Sequence, residues 1–146
     1  MRAPGAVLGF LAARAMLAAA DSHAAELAVE IKGLRSDGGE VRVGLFDDPA
    51  AFATDAGKIG ELILKPSGGV ARGTFPDLAP GAYALASYHD ENGNRSFDQG
   101  FLGWPLEGFA FSNDAAVSFF GPPPFGRAAI IVPAGGAAVA IRMVYW

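Results

Sequence analysis

Phe75-Pro76-Asp77-Leu78-Ala79-Pro80-Gly81-Ala82-Tyr83-Ala84-Leu85-Ala86-Ser87-Tyr88 joins a turn signal to the clearest strand of the chain. Pro80-Gly81 fits the central pair of a type II turn, because proline presets its φ and glycine accepts the positive φ that follows. Beyond it Tyr83, Leu85 and Ser87 alternate with Ala84, Ala86 and Tyr88. Alternation of period two marks a strand. Here both alternating sets are mostly apolar, which predicts a central strand covered on both faces.

Working outward, Leu27, Val29 and Ile31 alternate with Ala28, Glu30 and Lys32, a half-buried strand. Asp37-Gly38-Gly39 is a turn signal, and Val41, Val43 and Leu45 then alternate with Arg42 and Gly44. These two strands predict a hairpin. Asp47 to Gly57 is polar and broken by Pro49, so a loop or short helical turn is expected, with Phe52 tucked against the core. Leu62, Ile63 and Leu64 place a strand over 61–65; Pro66-Ser67-Gly68-Gly69 turns the chain and 70–75 returns it. Two strands close the chain, 127–132 and 137–145, with 133–136 turning between them. About seven strands with short turns, and no strong amphipathic helix, predict an all-β antiparallel sandwich of immunoglobulin or transthyretin type. One long ordered loop interrupts it.

The chain has 146 residues, enough for one modest domain. Its start reads as a secretory signal peptide. Arg2 supplies the positive region, Val7 to Ala20 is mostly apolar, and Ser22-His23-Ala24 offers small residues for cleavage. Arg14 interrupts the apolar run, which is short against the roughly 20 residues a membrane span needs. The expected division is a leader over 1–24 and a single sandwich domain over 25–146, periplasmic or secreted, with no transmembrane segment after cleavage. The mature chain keeps 9 basic and 14 acidic residues, a net charge of −5. A mildly acidic surface argues against nucleic acid, which calls for clustered Lys and Arg. Cysteine is absent, which excludes thiolate zinc sites and cysteine nucleophiles. Of the two histidines His23 leaves with the leader, so one monomer has no multi-histidine metal site.

From His89 to Phe125 regular structure is expected to fade, over a stretch far longer than ordinary connections. It carries Phe97, Phe101, Trp104, Phe109, Phe111, Phe119, Phe120 and Phe125, enough aromatic surface for a loop packed by its own side chains. Its first part, Asp90-Glu91-Asn92-Gly93-Asn94-Arg95-Ser96-Phe97-Asp98, has two readings. Asp90, Asn92 and Asn94 share the spacing of the first three side-chain ligands of an EF-hand loop, and Asp98 falls where a water-mediated ligand sits. Arg95 replaces the glycine of that pattern, Phe101 stands where the bidentate Glu belongs, and no helices flank it. Glu107 or Asp114 would have to fold back to complete the shell. The Ca²⁺ candidate is therefore Asp90, Asn92, Asn94, Asp98 and Glu107. The other reading is a self-bonded turn, in which Asp and Asn side chains accept from amides two residues on.

His89 and Asp90 are neighbours on a strand and face opposite ways, which excludes a dyad between them. No catalytic residue is assigned. Trp104, Phe109 and Phe111 are the candidate ligand platform for sugar rings or peptides, set against the more frequent fate of large apolar side chains, burial. Ser112-Asn113 lacks a nucleophile-elbow frame and reads as a turn satisfying backbone groups. Gly121-Pro122-Pro123-Pro124 is a stiff spacer or a partner-recognised run.

Several short pieces together carry a resemblance. They are Leu78-Ala79-Pro80-Gly81-Ala82-Tyr83-Ala84, His89-Asp90-Glu91-Asn92-Gly93-Asn94, Asp98, Leu102-Gly103, Pro105, Glu107-Gly108, Phe111-Ser112-Asn113 and Gly121-Pro122-Pro123. In this set the chain resembles the DUF2141 family of exported bacterial domains. The turn before Tyr83 also looks like that of transthyretin-like and carboxypeptidase regulatory-like sandwiches. The resemblance implies an exported β-sandwich and no established activity. The family pattern tends to have glycine where Arg95 stands.

The expected function is a non-enzymatic envelope domain with a Ca²⁺-stabilised loop, in a structural or binding role; the sequence names no partner. A carbohydrate- or peptide-binding module using the aromatic loop is the second reading. A carboxylate hydrolase built on Asp90, Asp98 and Glu107 is the third.

Overall fold

The computed structural model describes residues 24–118 and 121–146. The expected leader, but for Ala24, lies outside the described residues, as do Phe119 and Phe120. The strands are β1 (Ala25–Lys32), β2 (Glu40–Phe46), β3 (Gly60–Leu64), β4 (Val70–Leu78), β5 (Gly81–Asp90), β6 (Phe109–Phe111), β7 (Ile130–Val132) and β8 (Ala137–Arg142). A single helical turn, α1 (Phe125–Ala128), precedes β7. One sheet runs β4-β1-β8; the other runs β3-β2-β5-β6, with β7 also paired to β5. The β1–β8 pair is parallel and the others are antiparallel. The chain is the all-β sandwich its alternation predicts. Among the described residues no helix is long and apolar enough to cross a membrane.

The inner core follows from that alternation. Leu27, Val29 and Ile31 of β1 meet Val41, Val43 and Leu45 of β2 and Leu85 of β5, with Ile141 of β8 among them, all buried. Each such side chain contributes about 1.5–3 kcal/mol on leaving water. A second cluster lies on the outer face of the second sheet. There Phe46, Ala84, Phe109 and Phe111 are covered by Phe52, Phe97, Val117 and Phe125. β5 is thus central, buried by the opposite sheet on its inner side and partly covered by the long loop and Phe52 on its outer side. Phe52 follows a short 3-10 turn at Pro49–Ala51 and packs as expected.

Four expectations are corrected. β1 and β2 are not a hairpin. They lie in different sheets and face each other across the core, because the seven-residue link 33–39 is long enough to carry the chain from one sheet to the other. β4 likewise turns back from β3 into the opposite sheet, where it pairs with β1. Pro80-Gly81 is not a type II turn. Gly81 already belongs to β5, opposite Val132, and its φ is not positive; the left-handed residue is Asp77, at φ 58°. The Tyr83 hydroxyl donates to Ala79 O at 2.5 Å and ties down the corner where the chain crosses between sheets. Regular structure also persists further than expected. β5 continues to Asp90, β6 forms inside the long loop, and Arg127 lies in α1 rather than in the following strand.

Candidate functional site

The end of β5 places His89 and Asp90 on opposite faces. His89 is fully buried toward the inner side, with Nε2 2.7 Å from Gly38 O and Nδ1 2.7 Å from the Tyr145 hydroxyl. A carbonyl only accepts, so Nε2 carries the proton and Nδ1 accepts from the tyrosine. That hydroxyl also accepts from Arg35 N at 3.2 Å. The Arg35 guanidinium stacks on the Tyr145 ring and grips Glu91 at 2.9 and 2.6 Å. This arginine holds the Glu91 carboxyl below the usual carboxylate range. Both rims of the loop's base are therefore fastened to the link between β1 and β2.

Asp90 is also fully buried, on the loop side. Its Oδ1 accepts from Asn94 N at 3.1 Å and its Oδ2 from Arg95 N at 2.8 Å. Arg42 Nε stands 3.8 Å from Oδ2, while the same guanidinium donates to Glu40 at 2.7 Å. Asn92 Oδ1 accepts from Asn94 N, and Asn94 Oδ1 from Ser96 N. The amide nitrogens of both asparagines donate to Asp98, at 2.6 Å from Asn92 and 2.8 and 3.0 Å from Asn94. The chain turns sharply here, with Gly93 at φ 72° and Arg95 at φ 66°. Arg95 therefore adopts the left-handed conformation that the glycine of the loop pattern exists to supply.

Glu107 folds back to the backbone at Asp98. It is 5 % exposed and its Oε2 accepts from Asp98 N at 3.1 Å. Oε1 is buried with no hydrogen-bond partner. Burial raises the Glu107 pKa, and the nearby Asp98 and Asp90 carboxylates add to the rise. Asn92, Asn94 and Asp98 are thus joined through their side chains, while Asp90 holds the backbone amides of Asn94 and Arg95 and Glu107 holds the backbone amide of Asp98. Asp114 does not join them; it accepts from Arg142 N at 2.9 Å. Among the described residues no group of three or more His, Asp or Glu side chains is placed to hold a metal ion. The Asx bonds of the self-bonded turn are present throughout.

Replacing Arg95 by glycine removes a left-handed non-glycine residue at an exposed position, so stability is expected to rise by about 0.5–1 kcal/mol. A urea melt measures it; a destabilised variant would mean that the arginine side chain, not the backbone, governs this turn.

The aromatic residues separate. Phe109 and Phe111 are buried in the outer cluster, at 8 % and 9 % exposure. Trp104 and Trp146 stay half-exposed, their ring centroids 4.7 Å apart. They rim an open cleft of about 1300 Å³ on the outer face of the second sheet, floored by Arg42 and Tyr88 and walled by Arg95 and Phe97 of the acidic loop. Burial pushes the Tyr88 phenol up to about 12. Ser112 serves the backbone: its hydroxyl accepts from Leu85 N at 2.8 Å and donates to Ala128 O at 2.5 Å. Asn113 donates to Ala129 O at 2.8 Å.

Arg42, Arg35 and Tyr145 were not legible as site residues. Arg35 lies 56 residues from Glu91 and Tyr145 the same distance from His89, with no periodicity linking them. Only Arg42 carried a signal: a charged residue inside a strand whose every other position from Val41 to Phe46 is apolar or glycine.

Fold and corner together define a small all-β sandwich with a long loop laid over the outer face of its second sheet. Residues 29–140 match the family described as an uncharacterized protein conserved in bacteria, DUF2141. The chain belongs to that family. No curated protein and no solved structure matches it.

Proposed function

We propose that this chain is an exported, non-catalytic binding domain whose long loop is braced by Ca²⁺ at Asp90, Asn92, Asn94, Asp98 and Glu107. The observation that carries the reading is Glu107 Oε1, a buried carboxylate oxygen that makes no hydrogen bond and lies near the Asp98 and Asp90 carboxylates. A buried orphan of this kind calls for an explanation, and an ion is one of the few available. Two features support it. Arg95 takes the positive φ of the sharp turn, and Asp90 gathers the two amides that follow Gly93, so the loop backbone is already wound. An arriving cation would replace the asparagine amide donors at Asp98, with Asn92 and Asn94 turning their oxygens inward. The leader-like start of the sequence supports export.

The test is a thermal melt of the protein in millimolar CaCl₂ and in chelator. A ligand at about 100 times its Kd stabilises the native state by about 2.7 kcal/mol, a shift of several degrees. Glu107→Gln removes a buried charge near two other carboxylates and keeps an acceptor for Asp98 N, so in chelator it is expected to melt no lower than the wild type. In calcium it is expected to gain far less. A wild-type midpoint indifferent to calcium sinks the proposal.

A further inference from the structure

We propose that the cleft on the outer face of the second sheet binds an oligosaccharide chain. The inference shares the binding role proposed above and is independent of the cation. Three observations choose the occupant. First, the cleft offers ring faces: Trp104 and Trp146, each 56 % exposed, are tilted 57° to one another, and Tyr88 and Phe97 continue inward with centroids 5.7 Å apart. Such rings pack against the C–H faces of sugar rings while their polar edges stay wet. Second, the charges in the cleft largely answer one another. Lys58 pairs with Asp55 at 3.3 Å and Glu61 at 3.1 Å, and Arg42 with Glu40 at 2.7 Å and Glu61 at 3.6 Å. Such a lining asks for a ligand rich in hydroxyl groups. A purely apolar ligand would strip water from those ions without replacing it.

Third, the cleft lies over the face of the sheet. β2 and β5 beneath its floor are paired on both sides, so an extended peptide laid over those two strands has no free edge there to join. Peptides that bind sheets draw much of their affinity from those main-chain bonds. A glycan needs only side chains, and the cleft supplies guanidinium, carboxylate and amide groups from Arg95, Glu61 and Gln99 beside the aromatic wall.

The experiment is calorimetric and fluorescence titration of the full chain with cellohexaose, chitohexaose, maltohexaose and xylohexaose, in calcium and in chelator. At least one is expected to bind with a Kd of about 1 mM or tighter and to quench tryptophan emission. Trp104→Ala is expected to weaken that binding about tenfold or more, and Ile131→Ser, an exposed change on β7, to leave it unchanged. Trp146 also packs on Phe109 at 5.7 Å, so Trp146→Phe accompanies Trp146→Ala, and near-ultraviolet dichroism checks that each variant folds. Failure of all four sugars at about 5 mM overturns the inference. So does sugar binding that ignores Trp104, or saturable binding of an apolar decapeptide at Trp104 in their place. Sugar binding that persists in chelator, beside a melt that ignores calcium, removes the cation and leaves the glycan site standing.

Discussion

Replacing Asp90 by alanine is expected to cost about 3 kcal/mol of folding stability. The carboxylate is fully buried, takes the amides of Asn94 and Arg95, and stands 3.8 Å from Arg42. Hydrogen bonds to a charged group are worth about 1.5–3 kcal/mol each, and the two amides lie on exposed residues where water recovers part of the loss. Arg42 keeps Glu40 and Glu61, which limits the electrostatic penalty. Against a total stability of about 5–15 kcal/mol the loss is large. In urea the midpoint is expected to fall with little change in slope. Asp90→Asn retains one acceptor and should lose about half as much. A loss below about 1 kcal/mol for the alanine variant would mean that this carboxylate does not organise the loop.

Gly39→Ala is expected to be worse, at about 4 kcal/mol or more. Gly39 has φ 63°, and a Cβ there would lie 1.9 Å from Asp90 O and 2.7 Å from Glu91 Cα. Those are backbone atoms, which no rotamer change can clear. Gly93→Ala is the matched control: its φ is 72°, yet nothing lies within 4 Å of the added carbon, so only the left-handed cost of about 1 kcal/mol applies. Equal effects at the two positions would show that the start of β2 does not press against the end of β5. A large gap, read from denaturant midpoints of the two variants, would confirm that the link between β1 and β2 and the acidic loop are one packed unit.

How much was legible follows from what side-chain pattern encodes. The strands over 27–32, 41–45 and 83–88 could be read because alternation reports which face leaves water. Their partners could not, because a period of two is silent about which strand lies alongside. Val41, Val43 and Leu45 pack equally well in a hairpin or across a sandwich, and the link 33–39 suits the crossing. Pro80-Gly81 misled for a related reason: the ladder with β7 holds Gly81 extended and the positive φ moves to Asp77. Tertiary pairing outweighed local turn preference.

The acidic loop divides in the same way. Its oxygen spacing and its tendency to bond to itself were visible in Asp90, Asn92 and Asn94, since Asx chemistry acts over two residues. That Glu107 would return to Asp98, that Arg42 would stand beside Asp90, and that Arg35 and Tyr145 would lock its base depended on contacts between distant segments. The aromatic residues make the same point. Their number foretold a packed loop, yet the split between buried Phe109 and Phe111 and half-exposed Trp104 was set by the sheet face they met. Composition and alternation were enough for an all-β chain and its central strand, because those rest on local burial preference. The pairing of strands, the return of Glu107 to Asp98 and the cleft came only with the fold, because each depends on which distant surfaces exclude water together.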